Sequence, residues 1–160
     1  MQLPIPGTTW RPAKAELAMN QFRTTPICWS EDYSVGVDVL DKHHQRLAVL
    51  INQLADRLDD NIKSEKMVDI LTALVNYAEY HFRHEEGLMA EARYDDLENH
   101  QLEHRQFCEI IAETCYGATL GIVGVKELFS YLTRWWKNHI LLEDMKYRPY
   151  LASNEETEPA

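Results

Sequence analysis

The chain has 160 residues, 45% of them hydrophobic, and a formal net charge of −10 from 26 acids against 16 bases. That length and apolar content suit one domain with one core. The acidity excludes nucleic acid and anionic membranes, which need a basic surface, and three cysteines without a C-x-x-C pair exclude zinc-ribbon, thioredoxin-like and disulfide-built classes.

The opening MQLPIPGTTW lacks the basic start and apolar stretch of a signal peptide. No run reaches the roughly 18 to 20 apolar residues of a membrane span, so a soluble, cytoplasmic protein is expected. Residues 1–28 read as an irregular N-terminal arm holding Pro4, Pro6, Pro12 and Pro26, with a short helical turn at Ala13–Asn20. A bundle domain follows over 29–150, and residues 151–160 read as a flexible acidic tail.

Within the bundle the first helix is predicted over Asp38–Asp59, with a core stripe of His44, Leu47, Ile51, Leu54 and Leu58. The second runs from an N-cap at Ser64 to about Ala90, with Met67, Leu71, Leu74, Ala78, His81, Glu85 and Leu88 in line. The third starts after Asp95–Asp96 and aligns Leu97, His100, His104, Phe107, Ile111 and Thr114. Gly117, Gly121 and Gly124 break the chain before the fourth, whose stripe is Val125, Leu128, Leu132, Trp135, His139 and Leu142. Spacings of three and four keep each set on one helical face. Four such helices with short connections and no alternating strand pattern predict an all-α fold, an up-down-up-down antiparallel four-helix bundle.

Every helix places histidine where its pattern asks for a hydrophobe. A single core histidine is ordinarily a hydrogen-bonded packing residue, but five of the seven histidines (His44, His81, His100, His104, His139) fall on core stripes. His81 with Glu85, and His100 with His104, are i,i+4 pairs able to chelate from one face. Burying so many ionisable groups without partners would be costly, and a metal supplies the compensation. Nitrogen and carboxylate donors without thiolate suit iron, manganese or zinc. The set exceeds what one ion holds, so two ions sharing carboxylates are expected. His43 and His84 lie off the stripes by about 100° and 60°, as solvated residues or residues behind the ligands, although His81 and His84 at i,i+3 form an alternative pair. Ferritin-like di-iron bundles use paired Glu-x-x-His motifs, and this chain has none.

The blocks ICWSEDYSVGVDVLDKHHQRL, YHFRHEEGLM, HQLEHRQF and WWKNHILLEDMKY together resemble the hemerythrin family in its bacterial form, from Trp29 to Tyr147. The resemblance implies two Fe ions per chain, bridged by carboxylates and an oxo or hydroxo group. It assigns His100, His104 and His139 to a coordinatively filled iron and His44 and His81 to one with an open position. Glu85 and Asp144 become the bridges. The family carries glutamine where His43 stands, which leaves His43 and His44 as alternatives, with the core stripe favouring His44.

On helix geometry alone, Glu143 competes with Asp144, because residues five apart on a regular α-helix point about 140° away from each other. The family spacing favours Asp144. Keeping it requires a π-type widening after His139 or a bend there. Leu47, Phe82, Trp136 and Ile140 are expected to line a dry oxygen pocket, though core packing would also account for each. The implied function is reversible dioxygen binding by a carrier, store or delivery protein with no enzymatic activity, with dioxygen and an oxygen-consuming enzyme as partners. The alternatives at the same centre are an oxygen or redox sensor acting through a partner, and a slow di-iron oxidase or peroxidase.

Overall fold

A computed structural model describes residues 25–155, and all of its regular elements are helical. The turn expected at Ala13–Asn20 and residues 156–160 lie outside the described residues. Four α-helical rods form the bundle: α1 (Asp38–Asn52), α2 (Glu65–Glu91), α3 (Leu97–Thr119), and α4 (Val125–Asn138), which runs through a π turn (His139–Asp144) into α5 (Met145–Glu155). No helix among the described residues is long and apolar enough to cross a membrane.

Local chemistry sets the element ends. Asp38 and Asp41 occupy the first turn of α1, where carboxylates offset the helix dipole. α1 stops at Asn52, short of the expected Asp59, and a 3-10 turn over Ala55–Arg57 carries the chain on. The Asn52 side chain pairs with the backbone of Ile27, accepting from its N–H at 2.7 Å and donating to its carbonyl at 2.8 Å. Ile27, placed in the arm by its sequence, is thereby drawn into the core.

Ser64 caps α2 as expected, its hydroxyl accepting from the Met67 N–H at 3.3 Å. The helix ends in a Schellman closure, with the Tyr94 N–H on the Met89 carbonyl, the Arg93 N–H on the Ala90 carbonyl, and Arg93 left-handed at φ 55°. α3 continues through Gly117, and the chain turns at Gly121, φ 73°. The last rod carries on past Pro149 to Glu155 with Leu151 buried, so helix occupies the start of the expected tail.

α1 packs against α2 and α4, and α2 against α3 and α5. Phe107 closes α3 on α4, its ring 4.0 Å from that of Trp135. Antiparallel connection puts the first half of α1, the second half of α2, the first half of α3 and the end of α4 at one level. The stripe histidines and Glu85 lie in those segments or directly after α4. The other end of the bundle is apolar, filled by Leu54, Met67, Leu74, Leu128, Phe129 and Leu132.

Two glycines respond to alanine in opposite directions. Gly87 is exposed in mid-helix, with open space where a Cβ would sit. Gly87→Ala should stabilise the fold by about 0.5–1 kcal/mol. Gly121 also faces open space but has positive φ, so Gly121→Ala should cost about 1–2 kcal/mol of backbone strain. Urea unfolding of both variants checks the pair, and a shift of the same sign in both would contradict it.

Candidate metal centre

The helical level just described brings His44, His81, Glu85, His100, His104, His139 and Asp144 together, each no more than 4% exposed. Glu85 Oε1 lies 3.6 Å from His44 Nε2 and 3.8 Å from His81 Nε2, while its Oε2 lies 3.3 Å from His100 Nε2 and 3.2 Å from His104 Nε2. Asp144 Oδ2 lies 3.2 Å from His44 Nε2, and its Oδ1 lies 3.4 Å from His100 Nε2 and 3.2 Å from His139 Nε2. Each carboxylate therefore presents one oxygen to a two-imidazole group and the other to a three-imidazole group. Donor atoms of His44, His81 and Glu85 lie within 4.8 Å of one another, as do those of Glu85, His100, His104 and His139.

These atoms converge but only partly satisfy one another. Both ring nitrogens of His44 and both oxygens of Asp144 are buried and lack a hydrogen-bond partner, despite their close approach. His104 Nε2 and His139 Nε2 stand 3.0 Å apart, tip to tip. Buried polar atoms are ordinarily paired, and lone pairs aimed at a common point are what a cation fits. The donor chemistry, imidazole nitrogen and carboxylate oxygen, suits iron.

The register of the last rod decides which acid reaches the cluster. The π turn inserts extra arc between His139 and Asp144, so both face inward despite a spacing of five. It is the widening, not the bend, that the chain adopts. Glu143 is turned away and accepts from Lys146. The same rotation carries Leu142, expected on the core stripe, outward to 60% exposure and turns Ile140 in to 2%.

Three acceptors and donors around the cluster were missed at the sequence level. Glu86 meets His104 Nδ1 at 2.7 Å, and Glu103 meets His139 Nδ1 at 3.3 Å. Tyr147, fully buried, donates its hydroxyl to Glu85 Oε1 at 2.6 Å. Each acid is the sequence neighbour of a stripe residue, Glu86 after Glu85 and Glu103 before His104, which is the only signal that could have singled them out.

The expected pocket residues are all buried. Trp136 donates its ring N–H to the His44 carbonyl at 3.1 Å. Phe82 lies 5.6 Å from the His81 ring but stacks at 3.8 Å on His104, in the three-imidazole group. His43, expected to be solvated or to stand behind a ligand, is 7% exposed with Nδ1 unpartnered.

A family model described as "Hemerythrin HHE cation binding domain" matches residues 35–151. A bacteriohemerythrin of Clostridium acetobutylicum is 32% identical over 127 residues, 74% of this chain and 96% of that protein. A hemerythrin-like protein of Naegleria gruberi is 31% identical, covering 79% of this chain and 95% of its own length. A crystal structure of wild-type hemerythrin superposes with a TM-score of 0.70 at 25% identity, over 80% of this chain and 99% of that one.

The electrostatics of the metal-free cluster separate its histidines. Burial pulls the His44 pKa down, but the Asp144 and Glu85 carboxylates outweigh it and raise it to about 9. The same opposition at His139, with burial overcome by Asp144 and Glu103, ends at about 10. Burial prevails at His81 and lowers it to about 3. Burial and the Glu85 charge push Asp144 up, yet His139 and His44 bring it down to about 2.

At pH 7 the metal-free chain therefore holds protons on His44 and His139 that a metal must displace. Metal uptake at pH 7 should release at least two protons, read by titration calorimetry in buffers of differing ionisation enthalpy. Because these pKa values are raised, apparent affinity should climb with pH to about 9–10 and then level. A heat of binding independent of buffer would contradict this.

Proposed function

The chain belongs to the hemerythrin family, and from that premise we propose that it binds dioxygen reversibly at a non-haem di-iron centre, as a carrier, store or delivery protein. The observation that carries the reading is the unequal sharing of donors around two bridging carboxylates. Glu85 and Asp144 each offer one oxygen to either side, where three imidazoles stand on one side and two on the other. The two-imidazole side, His44 and His81, is one protein donor short. Two irons, bridged by these carboxylates and an oxo or hydroxo group, would supply the electrons that dioxygen takes up and a vacant position to receive it.

The remaining work falls to the chain. His100, His104 and His139 would hold one ion with three imidazoles, and His44 and His81 would hold the other with two. Glu86 and Glu103 accept from the outer ring nitrogens of His104 and His139, which fixes the tautomer that presents Nε2 inward. Tyr147 holds the Oε1 edge of Glu85 from the His44 and His81 side. Leu47, one turn beyond His44, and Trp136, on its carbonyl, keep water from that side, with Ile140 and Phe82 closing the surrounding wall. A histidine-rich donor set leaves less negative charge on a metal pair than a carboxylate-rich one, which supports binding over oxidative chemistry. Residence in the reducing cytoplasm belongs to the same proposal, consistent with Cys28, Cys108 and Cys115 as free thiols.

Iron-loaded protein should contain two irons per chain. Reduced anaerobically and exposed to oxygen, it should gain a visible absorption band that argon purging removes. One iron per chain, or a band that argon leaves in place, would overturn the proposal. Glu85→Ala should lose both irons, because it deletes a donor to each site at once; elemental analysis reads that outcome.

A further inference from the structure

Two histidines take no part in the centre. His84, half-buried on α2, and His43, 7% exposed on α1, have ring centroids 5.2 Å apart at an interplanar angle of 71°. Imidazole pairs inside the candidate centre have nearly the same relation: 4.7 Å and 79° for His44 and His81, 4.6 Å and 89° for His100 and His104, and 4.9 Å and 61° for His100 and His139. His43 also packs near Tyr80 at 5.2 Å and Tyr77 at 5.8 Å. Aromatic packing accounts for where the ring sits. It does not account for Nδ1, which is buried and has no hydrogen-bond partner. Asn76, Glu79 and Arg83 line the surface groove that reaches His84 and Tyr80; Glu79 lies 3.7 Å from the Arg83 guanidinium, which leaves the Asn76 carboxamide as the oxygen donor nearest to hand.

The pair continues inward. His43 stands 5.6 Å from His81 at 89°, and His81 is 4.7 Å from His44. Four imidazoles thus form a ladder from the half-exposed His84 to the two-imidazole side of the centre. The chain's net charge of −10 favours cations near its surface as a whole, Arg83 at the groove notwithstanding.

We propose that His43 and His84 form a third metal-ion site, a two-imidazole station for a divalent transition-metal ion, from which the dinuclear centre is filled. The site rests on the dinuclear reading above for its destination, and on its own two rings for its existence. Two neutral imidazoles with water and a nearby carboxamide or carboxylate suit Fe2+, Co2+, Ni2+ or Zn2+ and disfavour Mg2+ and Ca2+, which take oxygen shells. Two protein nitrogens hold an ion more weakly than the centre does, so an ion can arrive there and move on.

The test dialyses the iron-loaded, oxidised full chain against Co2+ and counts both metals in the same sample. Wild-type protein should carry one Co2+ beside its irons, whereas His84→Ala and His43→Gln should lose the Co2+ and keep their iron. Anaerobic Fe2+ uptake by metal-free protein should be several-fold slower in His84→Ala and reach the same final iron content. Absence of Co2+ in the wild type, or its retention in His84→Ala, overturns the site. Uptake at the wild-type rate in His84→Ala overturns its filling role. An iron count below two per chain is read separately, as failure of the dinuclear reading, while the His84-dependent Co2+ remains measurable in those samples.

Discussion

Seven ionisable side chains meet at one level of the bundle with their donor atoms turned toward each other, and the rest of the molecule is arranged around that fact. A buried charge deprived of its partner costs about 3–5 kcal/mol, against a total stability on the order of 5–15 kcal/mol for a domain. The cluster is therefore affordable to the fold only with cations, either protons or metal. Without metal, and against the opposing effect of burial, the carboxylates of Asp144 and Glu85 raise the pKa of His44 and His139 and so favour protons there. The far end of the bundle is filled mainly by apolar side chains, and it holds the four rods in register while their other ends carry the polar load.

Support is distributed unevenly around the cluster. Two of the three imidazoles on one side are braced by outer carboxylates and flat aromatic neighbours, Phe82 on His104 and Trp135 on His139. On the other side, the Nδ1 atoms of His44 and His81 have no partner. One half is held from behind, and on the other the Trp136 ring N–H anchors the His44 carbonyl. Rigidity on one side and a freer shell on the other match the division of labour proposed for the two sites.

Much of this was legible in the sequence because it was written as exceptions to a period. Apolar residues at three- and four-residue spacing mark the rods, and His44, His81, Glu85, His100, His104 and His139 stand out by occupying apolar positions. Asp144 could not be separated from Glu143 by the same reasoning, since the period assumes a regular helix and the widening that favours Asp144 is settled by the whole bundle. The early end of α1 coincides with the pairing of Asn52 with Ile27, a contact across 25 residues of chain. Glu86 and Glu103 lie one position off the stripes, half-buried, and only the approach of neighbouring helices shows that they face histidines.

The π turn leaves a trace on the outside of the molecule as well. Turning Asp144 inward pushes Leu141 and Leu142 out, to 42% and 60% exposure. Exposed adjacent leucines ordinarily invite the reading of a contact surface for another protein. Here their position follows from what happens on the opposite side of the same turn, where an acid had to arrive one residue late. A surface survey blind to the interior would take this pair for recognition, when it is the outer imprint of the way the core was made polar.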